Sequence, residues 1–119
     1  MHTHNITLLD EVKKQVPSSD EASQLTEFFK AIGNSTRSRI LLVLLELNEL
    51  CQYEICYLLD MEKSAISHQM KILIENRLVK ARKSGKEVFY QLHDEHVVSL
   101  LTTTKEHLYG KENEKTKNE

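Results

Sequence analysis

A chain of 119 residues, 39% hydrophobic and 29% charged with a formal net charge of −2, has the bulk of one domain and little mass for a second. Its composition excludes a membrane span, since no apolar run nears the roughly 18 residues one needs, and a disulfide scaffold, since Cys51 and Cys56 are its only cysteines. The start, Met1-His2-Thr3-His4-Asn5, lacks the basic and then apolar layout of a signal peptide, so a cytoplasmic protein with no membrane partner is expected. A domain this small buries a modest core alone, so pairing into a homodimer is expected as well.

The charge total hides an asymmetry. Between 62 and 86, Lys63, Lys71, Arg77, Lys80, Arg82, Lys83 and Lys86 stand against Glu62 and Glu75, a net of +5, which leaves −7 for the rest. A basic segment inside an acidic protein suits a surface that faces phosphate, although a solvated cationic face is the commoner cause of such a run.

In chain order, residues 5 to 15 allow a short helix with Ile6, Leu9 and Val12 or Val16 on one side, ended by Pro17. Ser19 is a good cap for a helix over 20 to 32, where Leu25, Phe28, Phe29 and Ile32 fall at helical spacing and Gly33 supplies the stop. Ser35 or Thr36 then caps a helix through Ile40, Leu41, Val43, Leu44, Leu45 and Leu47, apolar nearly all round and so the central core element. After Glu49-Leu50-Cys51 a shorter helix carries Ile55, Leu58 and Leu59, and Asp60-Met61-Glu62 turns the chain into a helix over 63 to 76. There Ile66, Met70 and Leu73 repeat at i, i+4 and i+7, and the opposite side is polar. The period changes from Leu78 to Leu92, where two strand-like runs flank Ser84-Gly85-Lys86, a hairpin signal. A last helix starts at Asp94 and runs to Tyr109, where Gly110 ends it. The chain thus divides into an N-terminal arm with a short helix (1–19), one domain (20–109) and a charged, disordered tail (110–119). The expected fold is mainly α with a β-hairpin wing, a dimeric winged helix-turn-helix.

In such a fold the second helix of the pair enters the major groove by its first turns. Ser64, Ser67, His68, Gln69 and Lys71 are suited to it, with Gln69 able to pair bidentately with adenine and Lys63 and Lys71 to meet phosphates. The hairpin adds Arg82, Lys83 and Lys86 against the backbone or minor groove. The plainer reading makes these residues the solvated side of an amphipathic helix.

The run Ser64-Ala65-Ile66-Ser67-His68-Gln69-Met70-Lys71-Ile72-Leu73, with Leu78-Val79 after it and Gly85 and Tyr90 in the hairpin, closely resembles the ArsR/SmtB family of bacterial metal-responsive repressors over about residues 21 to 109. The resemblance implies a homodimer that represses at an operator in double-stranded DNA and lets go when its inducer binds.

On the closing helix, His96 and His107 are eleven residues apart, which at 100° per residue sets them along one line of the helix and about 16 Å apart along its axis. Two nitrogens on one zinc are at most about 4 Å apart, so one chain cannot close a site between them. Two closing helices packed antiparallel would bring His96 of one beside His107 of the other, with Val97, Leu101, Thr104 and Leu108 as the stripe that holds them. Asp94, at the N-cap, could turn its carboxylate towards the same metal; the plainer reading is a capping Asp and two surface histidines. The Asp94, His96, His107 spacing resembles the family's zinc- and cobalt-type site, which adds His or Glu three residues later. That position is Gly110, so a fourth donor must come from Glu106, Glu112, His2, His4 or water. The metal implied is zinc, with cobalt or nickel as alternatives.

Glu49-Leu50-Cys51-Gln52-Tyr53-Glu54-Ile55-Cys56 is similar to the family's thiol site for soft metals with its middle cysteine replaced by Tyr53. Two sulfurs five residues apart on a regular helix point about 140° apart. A thiol-sensing repressor built on Cys51 and Cys56 is therefore the alternative function. No nucleophile with its base, glycine-rich phosphate loop or zinc-protease helix motif is present, so an enzyme is not expected. A winged helix that binds proteins instead of DNA would show no salt-dependent affinity for any duplex.

Overall fold

The computed structural model describes residues 4–110 of the chain. The expectations placed on His2, on Glu112 and on the tail over 111–119 concern residues outside that range.

Helix α1 (Ile6–Lys13) opens where Asn5 Oδ1 accepts from the Leu8 N–H at 2.9 Å. Helix α2 (Ser19–Ile32) opens on a capping box, with Ser18 Oγ accepting from the Glu21 N–H at 3.2 Å and Glu21 Oε1 from the Ser18 N–H at 3.1 Å. The cap is therefore Ser18 and not Ser19, because only Ser18 has a glutamate three residues on. Asn34, rather than Ser35 or Thr36, caps α3 (Ser35–Leu47), with its Oδ1 accepting from the Arg37 N–H at 3.0 Å.

Strand β1 (Glu49–Cys51) follows, then α4 (Gln52–Leu59) and α5 (Lys63–Glu75). Strands β2 (Val79–Ser84) and β3 (Glu87–Leu92) come next, then α6 (Glu95–Lys105) and a single π turn over Glu106–Gly110. The sheet is antiparallel in the order β1-β3-β2. β2 and β3 close through Gly85 and Lys86, with Ser84 opposite Glu87. Gly85 takes φ +64, which only glycine holds cheaply at the head of so tight a loop.

The core joins every element from α2 to α6, with Ala31 of α2 and Leu50 of β1 in it. Ile40, Leu41 and Leu44 of α3 pack with Ile55 and Leu59 of α4, Ile66, Met70 and Leu73 of α5, Leu78, Val79, Tyr90 and Leu92 of the hairpin, and Val97 and Leu101 of α6. α3 is central as expected, but Leu42 and Leu47 stay on its outer side. α1 buries nothing: Ile6, Leu9 and Val12 are all exposed, as is Val16 beyond its end. Among the described residues no helix is long and apolar enough to cross a membrane.

Candidate functional site

The α4–α5 unit is built around a tight turn. Asp60 ends α4 in the left-handed region (φ 55), the Met61 N–H donates to Cys56 O at 3.0 Å, and the chain re-enters helix at Lys63. Because Ile66, Met70 and Leu73 are buried, the helical period turns Lys63, Ser64, Ser67, His68 and Lys71 outward. Two of the expected reading residues are tied to the rest of the domain. Ser67 Oγ accepts from Gln52 Nε2 at the start of α4. Gln69, half-buried, has its Oε1 taken by Arg37 Nη1 at 2.9 Å. Arg37 also donates from Nε to Ala31 O (2.6 Å) and from Nη2 to Lys30 O (3.2 Å), so it ties the C-terminus of α2 to α5. The sequence alone missed Arg37, because a pair 32 positions apart leaves no periodic trace.

The wing divides its cations. Lys83 and Lys86 are exposed near its tip. Arg82 instead donates to Glu49 on β1, from Nη2 at 2.9 Å and Nε at 3.4 Å, and lies 4.7 Å from the centre of the Phe89 ring. The Glu49 carboxylate, by hydrogen bond and by charge, holds the guanidinium pKa above its ordinary value.

At the start of α6, Asp94 has two roles. Its Oδ1 accepts from the Val97 N–H at 3.1 Å, which caps the helix, while Oδ2 stands 3.5 Å from His96 Nδ1. The Val97 bond, then the neighbouring imidazole, holds the Asp94 carboxyl below its ordinary range despite partial desolvation. Donors each about 2.0–2.1 Å from one tetrahedral zinc are about 3.3 Å apart, so this pair matches the bite of a single ion. The fit ends at two donors, for among the described residues no three His, Cys, Asp or Glu side chains of one chain converge on a metal position. His107 is exposed in the π turn that follows α6. A side chain at Gly110 would meet Glu106, Cβ to Cβ at 3.7 Å, so Glu106 borders the position the family fills with its last ligand. Of the stripe expected to join two closing helices, Val97 and Leu101 are spent inside their own core and Thr104 Oγ1 donates to Leu100 O at 2.7 Å. Only Leu108 of that stripe is an exposed hydrophobic, beside Tyr109.

A cavity of about 310 Å³ joins the Asp94–His96 pair to the end of α5, with Asn76, Arg77 and His93 also in its lining. The His93 N–H donates to Leu78 O at 2.9 Å, which ties the residue before Asp94 to the exit of α5. The cysteines are placed differently from the regular-helix expectation. Cys51 lies on β1 and Cys56 on α4, and both line one cavity of about 600 Å³ beside Tyr53, Met61 and Lys63. The computed 140° separation does not apply, because the helix starts only at Gln52.

This architecture is shared with known proteins. Residues 34–81, from the cap of α3 into β2, match the model of the family described as bacterial regulatory protein, arsR family. Over 98 residues the chain is 39% identical to a transcriptional repressor SmtB homolog of Synechocystis sp., with 82% of this chain and 74% of that one covered. The chain belongs to the ArsR/SmtB family of bacterial metal-responsive repressors. Identity is 33% over 100 residues to the cadmium resistance transcriptional regulatory protein CadC homolog of Staphylococcus aureus, with 81% and 83% covered. Among solved structures, the homodimeric winged helix-turn-helix DNA-binding domain Mb0332 from Mycobacterium bovis superposes with a TM-score of 0.67 at 27% identity, over 78% of this chain and 92% of that one. Its relatives are DNA-binding transcriptional regulators and not enzymes. The matched segment 34–81 ends before Asp94, His96 and His107.

Proposed function

We propose that the protein acts in the cytoplasm as a homodimeric repressor on double-stranded operator DNA and leaves it when a transition metal, zinc before cobalt or nickel, binds across the two closing helices. The observation that carries this reading is the Asp94–His96 pair, two donors at 3.5 Å on the first turn of α6 with no third donor from their own chain among the described residues. A half-site of that kind is completed by a second copy, and a homodimer supplies it twice by symmetry. Asp94 and His96 of one chain hold the ion with His107 of the other, and Glu106 is the fourth donor because it stands where Gly110 has no side chain to offer. His4, at the start of the described residues, remains the alternative at the N-terminal end. Bound there, the metal supplies a cross-link between carboxylate and imidazole groups of two chains.

The exposed apolar residues of α1, with Leu25 and Phe29 of α2 and Leu108 and Tyr109, support the dimer, since they stay exposed among the described residues. Lys63, Ser64, Ser67, His68, Gln69 and Lys71 of α5, with Lys83 and Lys86 of the wing, face the DNA, while Arg82 serves the wing itself. His93 links the start of α6 to Leu78, and Asn76 and Arg77 share a cavity with Asp94 and His96. A change in how α6 is held therefore bears on the end of the reading helix. The coupling is reciprocal: an inducer that weakens DNA binding is itself bound more weakly on DNA, by the same factor.

The test titrates zinc, cobalt, nickel and cadmium into the dimer bound to its own upstream DNA, with His96→Ala, His107→Ala, Glu106→Ala and Gly110→His alongside. Release by metal is lost in the histidine variants. Metal affinity falls at least about tenfold in Glu106→Ala and recovers when Gly110→His is added to Glu106→Ala, as expected for a direct ligand when outer partners alone are worth 10- to 100-fold. Undiminished release in both histidine variants overturns the site. A second reading, thiol sensing, is favoured by one observation, that Cys51 and Cys56 line the same cavity. It replaces the first if only the Cys51→Ser, Cys56→Ser protein loses its response.

A further inference from the structure

We propose that Gln69 reads the operator as a hydrogen-bond donor, because Arg37 holds its amide oxygen turned towards α2 and α3, and that Arg37 thereby sets the base preference of the reading helix. This rests on the reading of α5 as the helix that enters the major groove. The guanidinium of Arg37 leaves the first turn of α3 and meets α2 before it meets α5. Nε donates to Ala31 O at 2.6 Å and Nη2 to Lys30 O at 3.2 Å, so its position does not depend on Gln69. Its remaining arm, Nη1, donates to Gln69 Oε1 at 2.9 Å. A guanidinium has donors and no acceptor, so the amide atom that faces it is the oxygen and the NH₂ group lies on the other side of the amide.

That orientation changes what Gln69 can recognise. Adenine presents N7, an acceptor, beside the N6 amino donor, and glutamine matches it bidentately only when both of its amide atoms are available. With the oxygen held inward, the amide offers two N–H groups, and the adenine amino group would meet a donor. Guanine presents N7 and O6, both acceptors, and suits the amide turned this way. The bidentate adenine contact expected from the sequence is thereby replaced by a preference for guanine over adenine, worth about tenfold at one base pair of each half-site. Arg37 touches no base; it is a positioning residue that acts through Gln69.

The experiment selects preferred duplexes from a randomised pool with the full-length dimer, as wild type and as Gln69→Ala, Arg37→Met and Gln69→Glu, with thermal midpoints recorded in parallel. One base pair per half-site should lose its preference in Gln69→Ala, and at that pair wild type should favour guanine over adenine about tenfold. Arg37→Met frees the amide oxygen and should move the preference to adenine. Gln69→Glu keeps a partner for Arg37, so it should stay folded, and its outward oxygen should move the preference to cytosine, whose amino group donates. Adenine at that pair in wild type, an unchanged preference in Gln69→Glu, or a Gln69→Ala profile identical to wild type each overturns the proposal. So does an Arg37→Met protein that is folded but weakened equally on all sequences; if that variant unfolds, Gln69→Glu decides. A wild-type protein that selects no sequence overturns the underlying reading of α5 instead.

Discussion

Arg82 on β2 and Glu49 on β1 are joined at 2.9 Å across strand β3, which lies between them in the sheet, with the Phe89 ring beneath the guanidinium. The cation most central to the wing already has its counter-charge inside the protein. Lys83 and Lys86, nearer the tip, take part in none of the ion pairs found among the described residues.

A salt titration separates these roles. Each lysine that neutralises a phosphate adds about 1 to the slope of log affinity against log salt. Lys83→Ala and Lys86→Ala should each lower the slope by about 1, and Arg82→Ala should leave it unchanged. Anisotropy titrations between about 50 and 200 mM salt give the slopes. An equal loss in all three would place Arg82 on the DNA.

The dimer is tested through α1, which can be altered without touching the core of its own chain. Leu9→Glu and Val12→Glu each remove an apolar side chain worth about 1.5–3 kcal/mol when buried, and symmetry removes it twice. Dimer dissociation should tighten its demand on concentration by about a hundredfold or more, while the monomer keeps its helical circular dichroism. Sedimentation velocity over a dilution series reads this directly. Unchanged dimers in both variants would move the interface elsewhere.

Acid sensitivity should trace to Glu54. Its carboxylate accepts from the Cys51 N–H at 2.8 Å, and that bond, with a further one from the Cys51 side chain, holds its pKa below the ordinary value. A carboxyl depressed in the folded state contributes stability that is fully present above its unfolded-state pKa and is lost as pH falls through the folded one. In Glu54→Gln the thermal midpoint should therefore fall relative to wild type at pH 7, and the gap should close below about pH 4. A gap that persists undiminished at pH 3 would mean that the charge is not what the cap uses.

Much of the architecture is local and was legible. Ile66, Met70 and Leu73 recur at the helical period and are buried together, the lysines and serines between them are thereby exposed, and Gly85 marks the hairpin turn that it makes. Cap positions were missed by a residue or two, because Ser18 and Ser19, or Asn34 and Ser35, differ only in which partner three residues away completes the bond. β1 left no signal of its own: three residues become a strand only because Leu50 and Cys51 pair with Tyr90 and Phe89, about forty positions on. With β1 unseen, a spacing taken on one regular helix misstates the geometry between Cys51 on β1 and Cys56 on α4.

The sequence by itself determined the winged helix-turn-helix layout, its basic segment and the placing of Asp94 and His96 at the start of its last helix, since periodicity, turn chemistry and spacing all act within a few residues. Only the tertiary structure decided which of those polar groups are already engaged. Gln69 is turned by Arg37, Arg82 is held by Glu49, and Val97 and Leu101 are drawn into the core rather than left for a partner. Each of these outcomes depends on which groups from distant parts of the chain meet in space, and a hydrogen bond, ion pair or apolar contact of that kind carries no period along the sequence.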